Sequence, residues 1–356
     1  MRLLNSTSLE LSEFYDTEIP PYAILSHTWG TGEVTLQDIQ RPDVQSKAGF
    51  SKIMGCCNQA KLDGIEWVWI DTCCIDKTSS AELSEAINSM YAWYKDSEVC
   101  YAFLADVPPL DPFFPKDAFE KARWFKRGWC LQELIAPRKI EFYAKDWTEI
   151  GTKWSLHSQI ERITGIPADF LLQNTALANY TAAQKMSWAS ERRTTRREDE
   201  AYCLLGIFGI SMPLLYGEGR RAFYRLQEEM MKQTEDYSLF LWMESGSNLQ
   251  SLYLPGVFAP SPASFPIAGP YSSSGKHCSY RNIKSIFLDS GAAMGLPRGF
   301  EQRNPPQITP RGLHLHACVQ KVKSKHDATS LLLWTGCMHE QDYMCIPLRE
   351  CWNLPR

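Results

Sequence analysis

The sequence predicts an α/β fold: a parallel sheet with flanking helices, then a helical extension and a β-rich C-terminal region. Three observations predict it. Short apolar runs at residues 22–26, 66–70, 99–104 and 140–143 alternate with helix-like segments, the order that places helices on the faces of a parallel sheet. Polar side chains gather where these runs end, at Ser26 and His27, Asp71 and Asp106, and such sheets bind ligands beyond the carboxyl ends of their strands. From about Asp236 onward Gly, Pro and Ser rise and short alternating runs appear, a texture of antiparallel strands.

The totals allow two domains, or one large domain with an extension, in 356 residues. The expected divisions are an α/β domain at 1–150, a helical extension at 151–235 and a β-rich region at 236–356. At 44% hydrophobic and 22% charged residues, the chain can bury a core. A net charge of −4 and a pI near 6.0 argue against a nucleic-acid partner. Residues 201–217 form the most apolar run, but Gly206, Gly209 and Pro213 break it and it is too short to span a bilayer. No membrane span or signal peptide is expected. The 12 cysteines include the adjacent pairs Cys56-Cys57 and Cys73-Cys74 and no CxxC, which points to a reducing cytoplasm rather than a disulfide framework or zinc ribbon.

Taken in order, the first twenty residues are a mixed lead-in ending at Pro20. After the first strand, Phe50, Ile53, Met54 and Cys57 recur at helical spacing, with Gly64 as a stop. The second strand ends at Asp71. Ser79 and Glu82 fit a capping box, and Leu83, Ile87, Met90, Tyr91 and Tyr94 mark the buried face of the helix it opens. Two further strands follow, separated by a proline-rich loop and a helix.

That helix, from Arg127 to Ile135, puts Cys130, Leu131, Leu134 and Ile135 on one stripe. Trp129 and Glu133, four apart, share a face away from the stripe. Alone, these residues favour a second packing surface with a solvated Glu133; the polar strand ends favour a cleft where an aromatic wall and a carboxylate meet a ligand. Beyond residue 150, helices are expected over 182–191, over 195–208 behind a capping box of Thr195 and Glu198, and from Gly219 to about Gln233. Arg192, Arg193, Arg196 and Arg197 read as a solvated turn balanced by Glu198, Asp199 and Glu200, rather than as a phosphate site. His314, His316 and Cys318 share one face of an expected strand over 313–319. No second ligand pair stands at a metal-site spacing, so no metal is expected.

Four ordered blocks carry a family resemblance. Tyr22-Ala-Ile-Leu-Ser-His-Thr-Trp-Gly30, Trp69-Ile-Asp-Thr-Cys-Cys-Ile-Asp76, Ala86-Ile-Asn-Ser-Met90 and Arg127-Gly-Trp-Cys-Leu-Gln-Glu133 resemble the successive signatures of the fungal heterokaryon incompatibility (HET) domain. Met186-Ser-Trp-Ala189, Glu198-Asp-Glu-Ala-Tyr202 and Tyr216-Gly-Glu-Gly219 resemble the stretch that follows it. The likeness covers residues 1–235. It implies nonself recognition, in which the domain triggers cell death when incompatible hyphae fuse. It also implies a remoter likeness to the TIR domain, a flavodoxin-like sheet whose enzymatic members cleave NAD. Trp129-Cys-Leu-Gln-Glu-Leu134 is similar to the plant TIR segment that bears the catalytic glutamate, so Glu133 takes that role by resemblance. Ser26-His27 stands where a TIR loop has an aromatic and an arginine, and the loop after Asp71 has its own Cys74 and Asp76.

The resemblance therefore implies an NAD glycohydrolase with Glu133 as catalytic residue. Ser26, His27, Trp29, Asp71, Cys74, Asp76, Arg127 and Trp129 are the expected substrate-binding residues, NAD is the substrate, and no cofactor is needed. A non-catalytic module that self-assembles or recruits a receptor partner is the alternative. Cys74 as a nucleophile activated by His27 ranks last, because a cysteine after a buried strand is more often a small core residue.

Overall fold

The computed structural model describes residues 1–109, 117–234, 236–242 and 257–265, together with the backbone of five strands between 307 and 348. It has two compact units. Unit 1 comprises residues 1–175 and 192–222, and unit 2 comprises residues 176–191 and 223–356.

Unit 1 is organised by a seven-stranded mixed sheet. Its strands are β1 (Arg2–Asn5), β2 (Leu11–Glu13), β3 (Tyr22–His27), β4 (Trp67–Trp69), β5 (Val99–Phe103), β6 (Ile140–Tyr143) and β7 (Glu149–Thr152). The sheet order is β2-β1-β4-β3-β5-β6-β7. The expected parallel core is β4-β3-β5-β6, with Ala23 opposite both Val68 and Val99. The edges differ from expectation: β1 and β2 form an antiparallel hairpin on the β4 side, and β7 runs antiparallel to β6. The lead-in is thus part of the sheet. Every residue of β3 and β5 is buried, as befits strands covered on both faces. The chain leaves β3 toward β4 and then returns to build β5 and β6 on the other side, so the switch in strand order falls at the carboxyl end of β3.

The helices of unit 1 are α1 (Phe50–Leu62), α2 (Asp71–Cys74), α3 (Ser80–Asp96), α4 (Cys130–Ile135), α5 (His157–Thr164) and α6 (Ala168–Leu171). Ser79 caps α3 by accepting the amide of Glu82. The other half of the expected box is absent, because the Glu82 carboxylate accepts the amide of Asp76 at 2.7 Å and a guanidinium bond from Arg2 at 2.8 Å. Arg2 also donates to the carbonyl of Cys74. The first strand therefore steadies the loop that follows β4.

All six residues of α4 are buried, so the helix is not half solvated. The helix expected over 195–208 is two short ones, α8 (Asp199–Tyr202) and α9 (Leu205–Phe208). No Thr195 cap forms, since the Glu198 carboxylate instead binds the amides of Gly217 and Gly219 at 2.8 and 3.0 Å. This knot folds the whole 198–219 stretch back on itself.

In unit 2, α7 (Ala182–Ser187) opens with a capping box between Thr181 and Gln184. Asp236 and Ser238 accept the next two free amides, those of Ala182 and Ala183. Along α10 (Arg221–Gln233), Gln227 clamps both backbone groups of Ala259 at 2.9 Å. A hairpin of β8 (Gln307–Thr309) and β9 (Gly312–His314) and an antiparallel sheet of β10 (Val319–Lys323), β11 (Thr329–His339) and β12 (Asp342–Leu348) follow. Of the strand expected over 313–319, Leu313 and His314 belong to β9 and Val319 to β10, in separate sheets; residues 315–318, with His316 and Cys318, lie outside the described residues.

Candidate functional site

A cavity of about 340 Å³ opens in unit 1 beyond the carboxyl ends of β3 and β4. This is the lower end of the roughly 300–1,000 Å³ that ligand pockets span. Four stretches meet there: the end of β3 with its loop (His27, Trp29), the turn after β4 (Asp71, Lys77), the start of α4 (Arg127, Trp129, Glu133), and the returning segment 195–216. Leu83, Ile87 and Met90 of α3 supply an apolar wall.

Glu133 sits at the buried end, 7% exposed. The hydroxyl of Ser26 donates to its Oε2, and the indole of Trp124 donates to the Ser26 oxygen at 2.7 Å. A strand end, a buried tryptophan and the helix carboxylate are thus one chain of hydrogen bonds. Burial pushes the Glu133 carboxyl up to about 7; the bonds from Ser26 and Cys130 and the charge of Arg192 oppose the rise, and the charge of Asp71 adds to it. The carboxyl is therefore poised between its two protonation states at neutral pH.

Asp71 gathers three partners. Its Oδ1 lies 2.9 Å from His27 Nε2, and its Oδ2 accepts the indole of Trp29 at 2.9 Å and the ammonium of Lys77 at 3.5 Å. Lys77 also stands 3.7 Å above the Trp29 ring. Burial works to raise the Asp71 carboxyl, but the Lys77 charge and the bonds from His27 and Trp29 outweigh it, so the group lies well below the usual carboxylate range. Replacing Asp71 by Asn is expected to cost about 1–3 kcal/mol at pH 7. A depressed carboxyl stabilises fully above its unfolded value near pH 4 and loses that contribution as pH falls. Urea unfolding of the two proteins should therefore converge in acid.

The loop bearing Trp29 is held from below by Glu33, which accepts the amide of Gly30 at 2.7 Å and pairs with Lys52 at 2.7 Å. The start of α4 is held by the returning segment. The amide of Gly128 donates to the Arg193 carbonyl at 2.9 Å, and that of Arg193 to the Lys126 carbonyl at 2.7 Å. A Cβ on Gly128 would fall 2.5 Å from the Thr194 methyl, so this approach requires glycine.

Of the residues expected at a site, His27, Trp29, Asp71, Arg127, Trp129 and Glu133 line the cavity, and Ser26 lies directly beneath Glu133. Cys74 does not line it. Its thiol is buried under the first turn of α2, accepting the Ile70 amide at 3.4 Å. Asp76 points elsewhere too, binding Gln37 and Thr78 and so shaping its own loop. Asp106, at the end of β5, accepts the amide of Arg123 and is likewise outside.

Sequence reasoning missed Thr195, Arg196, Asp199 and Tyr216. The Tyr216 hydroxyl donates to Asp199 at 3.0 Å, Trp129 also bonds Asp199, and the Arg196 guanidinium stands 4.5 Å over the Tyr216 ring. Burial raises the Asp199 carboxyl, against these bonds and the arginine charges. The reading of this stretch as a solvated turn is corrected: Glu198 and Asp199 are buried and bonded, and Arg196 faces the cavity, while Arg193 and Arg197 stay exposed. The signal was the adjacency of two acids to an apolar run.

Among the described residues no group of side chains is arranged to hold a metal ion, and no helix is long and apolar enough to cross a membrane.

Residues 22–111 match the family profile described as heterokaryon incompatibility protein (HET), and residues 221–260 match a domain of unknown function, DUF8212. The chain is similar to the vegetative incompatibility protein HET-E-1 of Podospora anserina, at 47% identity over 224 residues. The match takes in 60% of this chain but only 16% of that relative's length. No solved structure matches. With the profile match and the relative in agreement, this chain carries a HET domain, matched over residues 22–111; that stretch holds three of the four blocks and the cavity residues His27 and Asp71, and the fourth block, with Glu133, lies beyond it.

Proposed function

We propose that this chain acts in heterokaryon incompatibility, as the name of its relative records for that protein, and that its cavity hydrolyses NAD to nicotinamide and ADP-ribose. The observation that carries the enzymatic reading is the placement of Glu133: a buried carboxylate, oriented by Ser26, on the wall of a cavity that also holds Trp129, Arg127 and Arg196. The β4-β3-β5-β6 order supports the TIR-like reading, since it is four-fifths of the flavodoxin-type order with the ligand at the switch point.

The chemistry follows from charge. When the bond between the ribose C1′ and the pyridinium nitrogen breaks, its electron pair leaves with neutral nicotinamide and positive charge develops on the ribose. A fixed carboxylate in a water-poor site stabilises that charge. Water then forms the new bond to C1′ and its proton passes to Glu133, whose pKa near 7 suits a base at neutral pH. Trp129 offers a flat face for a base. A cytoplasmic location is supported by the free thiols of Cys56, Cys57, Cys73, Cys74, Cys100, Cys130 and Cys203.

The test is nicotinamide release from NAD by the purified protein, alone and clustered through an appended oligomeriser, beside Cys74→Ser. Release is expected in the clustered form and is expected to be unchanged by Cys74→Ser, because that thiol lies outside the cavity. A folded, clustered protein that releases no nicotinamide would leave the non-catalytic module, which self-associates or recruits a receptor partner, as the reading that stands.

A further inference from the structure

The cavity is polar in a directional way. Its buried end carries the Glu133 carboxylate and its open side carries Arg127, half-buried, and Arg196, exposed. Neither arginine is neutralised by an ion pair among the described residues. Arg127 donates to a neutral hydroxyl, that of Thr195, at 2.8 Å, and Arg196 lies over the Tyr216 ring. The nearby carboxylates are already engaged, Asp199 by Tyr216 and Trp129 and Glu198 by the amides of Gly217 and Gly219. Two planar cations with spare donors at the mouth of a small cavity are suited to grip a phosphate.

We infer that the ligand this cavity selects is a pyridinium ribose 5′-phosphate, a single nucleotide with a cationic base at the Glu133 end and its phosphate between Arg127 and Arg196. The inference rests on the enzymatic reading and deepens it. A volume of about 340 Å³ suits one nucleotide rather than an extended dinucleotide, so the second nucleotide of NAD lies outside the cavity and adds little to recognition. Both arginines lie beyond the matched HET stretch at 22–111, and the segment 195–216 supplies half of the phosphate grip. It is a specificity element and takes no part in bond breaking.

The experiment compares three probes: NAD, nicotinamide mononucleotide, and nicotinamide riboside, which lacks the phosphate. With the wild-type protein, kcat/KM for the mononucleotide is expected within about tenfold of that for NAD, and the riboside at least about a hundredfold lower, as loss of one or two charged contacts predicts. The double substitution Arg127→Met, Arg196→Met is expected to lower NAD and mononucleotide turnover by a similar factor and to leave the riboside unchanged. A merely structural role for the arginines would depress all three alike. Should the double variant lose its melting transition, Arg196→Met alone, at an exposed position, carries the comparison with a smaller effect. Equal turnover of riboside and mononucleotide, or cleavage of NAD without cleavage of the mononucleotide, would overturn the inference and leave the NAD reading intact. If nothing is cleaved, that reading fails. Calorimetric titration with the mononucleotide then decides the phosphate grip by itself: binding abolished by the double substitution keeps it, and no binding to the wild type ends it.

Discussion

Glu133→Gln is expected to lower nicotinamide release by about a hundredfold to a thousandfold in kcat while leaving the protein folded. The amide keeps the shape of the side chain and can still accept the Ser26 hydroxyl, so the chain of bonds from Trp124 through Ser26 survives. Only the charge is lost, and with it the stabilisation of the ribosyl cation and the proton acceptor. The same substitution has a stability signature. Burial holds the Glu133 carboxyl near 7, against 4.5 for a free one. A raised carboxyl costs nothing below its unfolded value, and its ionisation progressively destabilises the fold as pH rises toward 7, by about 3 kcal/mol in all. The neutral amide is free of that penalty. The melting temperature of the variant should therefore exceed that of the wild type at pH 8 by several degrees and approach it at pH 4.5. Wild-type turnover should rise with pH through about 7, as the carboxylate forms. A variant that is both unstable at pH 8 and inactive would assign Glu133 to the framework.

Gly206→Ala is expected to destabilise unit 1 by more than about 3 kcal/mol, at the upper end of overpacking costs. Nothing in the local backbone forbids the methyl, and inside a helix it would by itself favour folding by about 1 kcal/mol. The obstacle is α3: the added Cβ would lie 2.0 Å from the Cβ of Tyr91, an atom fixed to the backbone that no rotamer change moves. α9 must therefore back away from α3, and since it also packs on α4, the wedge would shift the helix that holds Glu133. Urea unfolding should show the loss in midpoint, and nicotinamide release should fall even where the variant remains folded. A variant with an unchanged midpoint would mean that α3 and α9 can separate at almost no cost.

What the sequence revealed, and what it hid, divides along physical lines. The parallel core was legible because β3 and β5 are buried on both faces and so read as unbroken apolar runs. Leu11–Glu13 and Glu149–Thr152 were not, since strands of three or four residues at an edge, half exposed, carry almost no pattern. At the site, His27 and Asp71 were legible from the strand ends. The spacing of Trp129 and Glu133 by itself favoured a solvated carboxylate, and the family resemblance was what singled out Glu133, which is buried. Arg196, Asp199 and Tyr216 were hidden because they arrive by tertiary contact, from a segment remote in sequence from α4. The Thr195–Glu198 spacing misled for a related reason. A capping box and a distant loop compete for the same carboxylate, and the amides of Gly217 and Gly219 take it.

The return of residues 192–222 to unit 1 after an excursion through unit 2 bears on how this molecule can be dissected. A fragment cut at the end of the matched HET stretch, near residue 111, would lack α4 and β6 and bare the whole hydrogen-bonding flank of β5, a run of five apolar residues. Such an open flank recruits other chains. Precipitation of that fragment would reflect where the scissors fell, and the smallest piece able to fold as unit 1 must extend past residue 219.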